Sequence, residues 1–148
     1  MKSCLVALFV TALAVAPPAF GASEATPEEA KAMLDRAVKL IQTDGEEKAL
    51  AAFNDPTGSF RDRDLYVFCY AKDKKKITAH PTVPLGTDVT SIKNSAGENV
   101  GKQWAGVAGT GGGSLEYRWT NPVSKKLQNK VSYFKEVGNQ VCAVGAYK

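Results

Sequence analysis

One histidine, three cysteines and two methionines are all that 148 residues offer as imidazole or sulfur ligands. That count excludes most multi-ligand zinc and iron–sulfur designs, and no cofactor is expected. Charge of one sign is also scarce: the formal excess is +4, too slight to argue for nucleic acid. Aromatics at 9% and charged residues at 23% fit neither a disordered tail nor a collagen-like fibre. No apolar run approaches the ~20 residues that a membrane helix needs. What is present is one domain's length of chain with 44% apolar residues, enough for a single core.

The first residues read as an export address. Met1-Lys2 is a short basic start, and Cys4 to Ala16 is an uncharged, mostly apolar run that ends at Pro17-Pro18. Small residues follow, so cleavage after Gly21, Ala22 or Ala25 is expected, with 1–22 as the working signal peptide and 23–148 as the mature domain. Cys4 lies before the apolar run, where a lipid-anchor cysteine should follow it. The mature chain loses Lys2 and Cys4 and keeps a charge of +3. It is expected to be soluble, periplasmic or secreted, without a transmembrane anchor and without a signalling domain of its own. The short signal and the absence of any Asn-x-Ser/Thr sequon fit a bacterial periplasm.

Two cysteines remain, Cys69 and Cys142, both in strand-like runs. In an oxidising compartment they read either as a disulfide or as two small buried residues that never meet.

Thr26-Pro27-Glu28-Glu29 opens a helix with a capping box. Ala30, Met33, Leu34, Ala37, Val38 and Ile41 then recur at helical spacing. Asp44-Gly45 interrupts, and a shorter helix resumes over 46–53. The period changes at Leu65 to Ala71 (LYVFCYA), a strand long enough to be buried on both faces. Lys72 to Lys76 reads as a solvated hairpin tip and Ile77 to His80 as a return strand. Residues 85–108 are irregular, with helical turns at 88–92 and 100–107. Strands follow at Leu115 to Thr120, Lys130 to Val137 and Gln140 to Tyr147. This order is α+β, a long N-terminal helix on a five-stranded antiparallel sheet.

These residues resemble the single Cache domain family, extracytoplasmic sensors with a PAS-like sheet. The pieces that carry the resemblance are LYVFCYA, the ITAHP of 77–81, GGGSLEYRWTNP at 111–122 and NKVSYFKEVGNQVCAVGAY at 129–147. With the N-terminal helix they cover nearly the whole mature chain. The resemblance implies a small organic acid or related metabolite bound on one side of the sheet. The protein partner it implies is a membrane receptor or kinase. It also implies that the strands carrying Cys69 and Cys142 are central neighbours. Two features depart from the family pattern. There is no second membrane segment, and the first hairpin lacks the usual Asp-x-x-Gly turn.

Tyr117 and Trp119 share one face of their strand, and Lys130 and Ser132 share one face of the next. If the faces meet, a cation and a hydroxyl stand over an aromatic floor, which suits a carboxylate. His80 is a donor candidate at the rim, and Phe68 a floor candidate. Arg118 points to the opposite face. The run GVAGTGGGS at 106–114 lacks both the lysine of a phosphate loop and the third glycine of a dinucleotide fingerprint. Three readings remain. One is a non-enzymatic binding domain for a small carboxylate. Another is an interaction or structural module of a periplasmic signalling complex, its pocket filled by its own side chains. The third is an enzyme, which lacks a nucleophile with a His/Asp partner set.

Overall fold

The computed structural model describes residues 24–148, so the expected signal peptide at 1–22 lies outside the described residues. Helix α1 (Pro27–Asp44) starts with the capping box its sequence predicts. Thr26 Oγ1 accepts from the Glu29 amide at 3.2 Å, and the Glu29 carboxylate accepts from the Thr26 amide at 2.8 Å. Its stripe of Ala30, Met33, Leu34, Ala37 and Ile41 is buried. Gly45, at φ 89, breaks the helix, and α2 (Glu46–Asn54) adds Ala49 and Phe53 to the same core.

The sheet contains β1 (Arg61–Asp62), β2 (Leu65–Ala71), β3 (Lys76–Ala79), β4 (Gly112–Thr120), β5 (Leu127–Val137) and β6 (Gln140–Tyr147). It therefore has six strands rather than five. The additional one, β1, is only two residues long and pairs with the start of β2 through Arg61–Tyr66 and Asp62–Leu65. No periodicity can be read from two residues. Strand β5 also begins three residues before Lys130, and β4 begins at Gly112 within the glycine run. The order is β1-β2-β6-β5-β4, every pairing antiparallel, with β3 also on β2.

The two central strands, β2 and β6, are buried throughout. Leu65, Val67 and Cys69 of β2, with Cys142, Val144 and Ala146 of β6, face α1 and α2. Cys69 and Cys142 are register partners, with Cα atoms 4.1 Å apart and their sulfurs bonded. The opposite face carries Tyr66, Phe68, Tyr70 and Tyr147. It is covered by the long connection from β3 to β4, in which residues 89–91 make a 3-10 turn and α3 (Gly101–Ala105) delivers Trp104. Gly101 allows that approach, because a Cβ there would sit 1.8 Å from the Val89 carbonyl oxygen. Among the described residues, no helix is long and apolar enough to cross a membrane.

Candidate ligand-binding site

Register decides whether the two sequence-predicted pairs meet. Tyr117 stands opposite Lys130, Leu115 opposite Ser132 and Trp119 opposite Gln128. Tyr117, Trp119, Lys130 and Ser132 therefore share the aromatic face. Lys130 is 1% exposed and Ser132 is fully buried. The Tyr117 hydroxyl and Ser132 Oγ are hydrogen-bonded at 2.7 Å. Arg118, on the other face, pairs instead with Glu98, and Glu116 pairs with Lys148.

The Lys130 side chain crosses Gly145 of β6. A Cβ at Gly145 would lie 2.3 Å from Lys130 Cε and 2.2 Å from Ser132 Oγ, so only glycine leaves both side chains room. The ammonium ends over the ring of Tyr66 at 4.0 Å, with Tyr147 at 4.9 Å and Phe68 at 5.5 Å. Its one hydrogen bond goes to the Tyr66 hydroxyl at 2.8 Å. Tyr147 gives its own hydrogen to the Thr120 carbonyl at 3.0 Å, so the 3.4 Å contact between the two tyrosines has Tyr66 as donor. The Lys130–Tyr66–Tyr147–Thr120 chain uses all the hydroxyl hydrogens and leaves two ammonium hydrogens unspent. Among the described residues, no carboxylate lies within salt-bridge distance of Lys130. Burial pushes its pKa down to about 7, a fall partly opposed by the charge of Asp64.

His80 is also buried, at 6% exposure, and lies against Tyr66, Phe68, Trp104 and Trp119. Its Nδ1 accepts from the amides of Thr82 at 3.1 Å and Val83 at 2.9 Å. Burial first, then the charges of Lys130 and Arg61, hold it well below the usual histidine pKa. The ring is thus neutral, and the hydrogen-bond network assigns its single proton to Nε2. Among the described residues that buried N–H has no acceptor, and the same holds for the indole N–H of Trp104. The face thus holds an ammonium, an imidazole N–H and an indole N–H with hydrogens to give. The buried carboxylate whose charge acts on Lys130, Asp64, is engaged by the Ala25 amide at 2.9 Å and by Asn121 Nδ2 at 3.3 Å.

A cleft of about 280 Å3 opens beside this cluster, and Tyr66 and Trp119 line it. Of the residues singled out from sequence, Trp119 alone reaches this cleft; Lys130, Ser132, Tyr117, His80 and Phe68 stand behind it. His80 is therefore buried behind the cleft and not at its rim, because the backbone after β3 folds its Nδ1 onto Thr82 and Val83. Phe68 is packed against Trp104 at 4.7 Å between ring centroids.

Sequence reading passed over Trp104, Gly145, Asp64 and Arg61. Trp104 was findable as the only aromatic residue between 85 and 113. Arg61 gave no signal. As the register partner of Tyr66 it lies on the same face, with a buried Nε that has no acceptor.

An antiparallel PAS-like sheet, helices on one face and a closed aromatic cluster on the other define an α+β domain of PAS-like class. Residues 57–147 match the Cache domain family, and the chain belongs to that family. No curated protein matches the chain in sequence. Solved structures share the fold, among them these three. A methyl-accepting chemotaxis protein from Vibrio parahaemolyticus is 22% identical over 81% of this chain and 86% of its own, with a TM-score of 0.61. A periplasmic sensor domain of a chemotaxis protein is 20% identical over 81% and 88%, with a TM-score of 0.58. A Cache chemosensory domain described for its carboxylic acid recognition is 22% identical over 81% and 86%, with a TM-score of 0.56.

Proposed function

We propose that this Cache domain is a non-enzymatic, exported receptor for a small carboxylate-bearing metabolite held on the aromatic face of its sheet. One observation carries the reading: a buried Lys130 side chain without a carboxylate partner among the described residues, beside two buried N–H groups that lack acceptors among them. Unpaired donors in a desolvated site are costly, and an anion satisfies all of them at once. The carboxylate would take hydrogens from Lys130 Nζ, His80 Nε2 and Trp104 Nε1. Tyr117 and Ser132 would supply one further hydroxyl hydrogen. Tyr66 and Trp119 separate the donors from the cleft and would move aside for the acid. Catalysis has little support, since Ser132 is bonded to Tyr117 rather than to a base. The acid-bound state would be passed on to a membrane receptor or kinase.

The way the domain begins bears on where an export signal would be cut. Ala25 is 4% exposed and its amide satisfies Asp64, while Thr26 caps α1. Cleavage after Ala25 would remove a residue that the fold uses. Processing after Gly21 or Ala22 keeps it, and the intact mass of exported protein tests this: a chain starting at Thr26 would contradict it.

A second reading, an interaction module with its pocket filled, is favoured by the packing of Phe68, Trp104 and His80 against one another behind the cleft. A thermal-shift screen with C2–C5 acids and amino acids separates the two. An acid at 100 times its Kd should stabilise the protein by about 2.7 kcal/mol, and at the same concentration Lys130→Met should cut this to about 0.4–1.4 kcal/mol. No shift with any acid would favour the module.

A further inference from the structure

The cleft outside Trp119 has a charge pattern of its own. Among the described residues, its only charged lining residues are Lys93 and Lys125, which belong to different loops, and no acidic residue is in the lining. Neither lysine takes part in an ion pair among the described residues. The carboxylate on the Lys93 loop, Glu98, is consumed by Arg118 and by Asn94 Nδ2 at 2.6 Å.

The backbones that carry the two lysines are firmly tied. Asn94 Oδ1 accepts from the amides of Ala96 and Glu98, each at 3.0 Å, and Asn94 Nδ2 donates to the Arg118 carbonyl. Asn121 Oδ1 accepts from the amides of Val123 and Ser124, and the Lys125 amide returns to the Asn121 carbonyl at 2.9 Å. Lys125 is held at φ 61, a conformation that a side-chain-bearing residue rarely adopts. Between the lysines the cleft wall is apolar: Tyr66, Trp119, Pro81 and Pro122. Tyr66 and Trp119 are the same residues that pack around Lys130 and His80 on the inner side.

We propose that the cleft is a second anion subsite and that the ligand is a dicarboxylate with a short hydrocarbon middle. One carboxylate meets Lys130 and its neighbouring donors. The chain lies along Tyr66 and Trp119, and the other carboxylate sits between Lys93 and Lys125. This rests on the Lys130 reading and adds the ligand class to it. The subsite is exposed, so its contribution is modest and salt-sensitive.

Calorimetric titration with acids of equal chain length tests it: butyrate against succinate, and valerate against glutarate. The diacids should bind about fivefold more tightly at low salt. The preference should shrink in 500 mM salt. A Lys93→Gln/Lys125→Gln variant, whose changes are both exposed, should lose the preference and keep the affinity for butyrate. Equal or tighter binding of the monoacids to the unaltered protein would overturn the subsite while leaving the Lys130 site standing. A diacid preference that survives the double substitution would do the same. Binding of neither acid class, or binding indifferent to Lys130→Met, would overturn the Lys130 reading itself.

Discussion

The two faces of the sheet are made from the same strands and built to opposite rules. On β2, Leu65, Val67 and Cys69 face the helices, while Tyr66, Phe68 and Tyr70 alternate with them toward the loops. The helix face is mainly aliphatic and is closed by a disulfide. The loop face is aromatic and encloses an ammonium, an imidazole and an indole whose hydrogens are not all used. A core optimised for stability alone would place methyl groups where Lys130 and His80 stand. One face therefore supplies the stability, and the other uses some of it to hold a charge out of water.

Damage to the helix face should be felt as stability. The Cys69–Cys142 bond spans a sequence separation of 73, and opening it should cost about 4 kcal/mol in the chain-entropy model. Denaturant unfolding of a Cys69→Ala/Cys142→Ala variant checks this, and acid affinity of the fraction still folded should be unchanged.

On the loop face, Lys130→Met should act the other way. Losing a charge-assisted hydrogen bond costs roughly 1.5–3 kcal/mol, a tenfold to hundredfold weaker Kd for the acid. The unliganded variant should be as stable as the parent or more so, because an apolar side chain replaces a buried ammonium. A loss of stability comparable to that of the disulfide variant would erase the distinction between the faces.

Gly145→Ala probes the packing within the loop face. The added methyl would collide with Lys130 Cε and Ser132 Oγ, an overpacking worth about 1–3 kcal/mol. Acid binding should weaken with it, since Lys130 must shift. Thermal unfolding and titration of the one variant read both effects.

pH should sharpen the contrast. Lys130 titrates near 7 in the free protein, against about 10.4 for an unfolded lysine. The unfolded chain thus binds more protons between those values, so this group's destabilising contribution fades as pH rises from 7 toward 10. Binding an anion requires the charged form, so acid affinity should fall by up to tenfold per unit as pH rises above about 7. Titrations at pH 6, 7, 8 and 9 test the slope, and Lys130→Met should be flat.

Much of this was legible in the chain. Capping box, helix stripe and the strand periods are local, and alternation put Tyr117 with Trp119 and Lys130 with Ser132. Whether those pairs face each other depends on register, which parity leaves open. The Tyr117–Lys130 pairing answers it. Trp104 comes from a five-residue helix too short to show a period, and Arg61 from a strand of two residues. Gly145 reads as an ordinary small residue until Lys130 is laid across it. The tautomer of His80 is set by two amides beyond Pro81, a geometry no residue pattern encodes.

The claim on which the account rests is that Lys130 is a buried cation waiting for an anion. The direct measurement is the ionisation of its side chain by NMR of Cε-labelled lysine, with the signal identified by its loss in Lys130→Met. Spectra are followed across pH without acid and with saturating propionate or succinate. The account predicts a pKa near 7 in the free protein and an upward move of more than one unit with acid. A pKa near the ordinary 10.4, or one that a bound acid leaves unmoved, would contradict it.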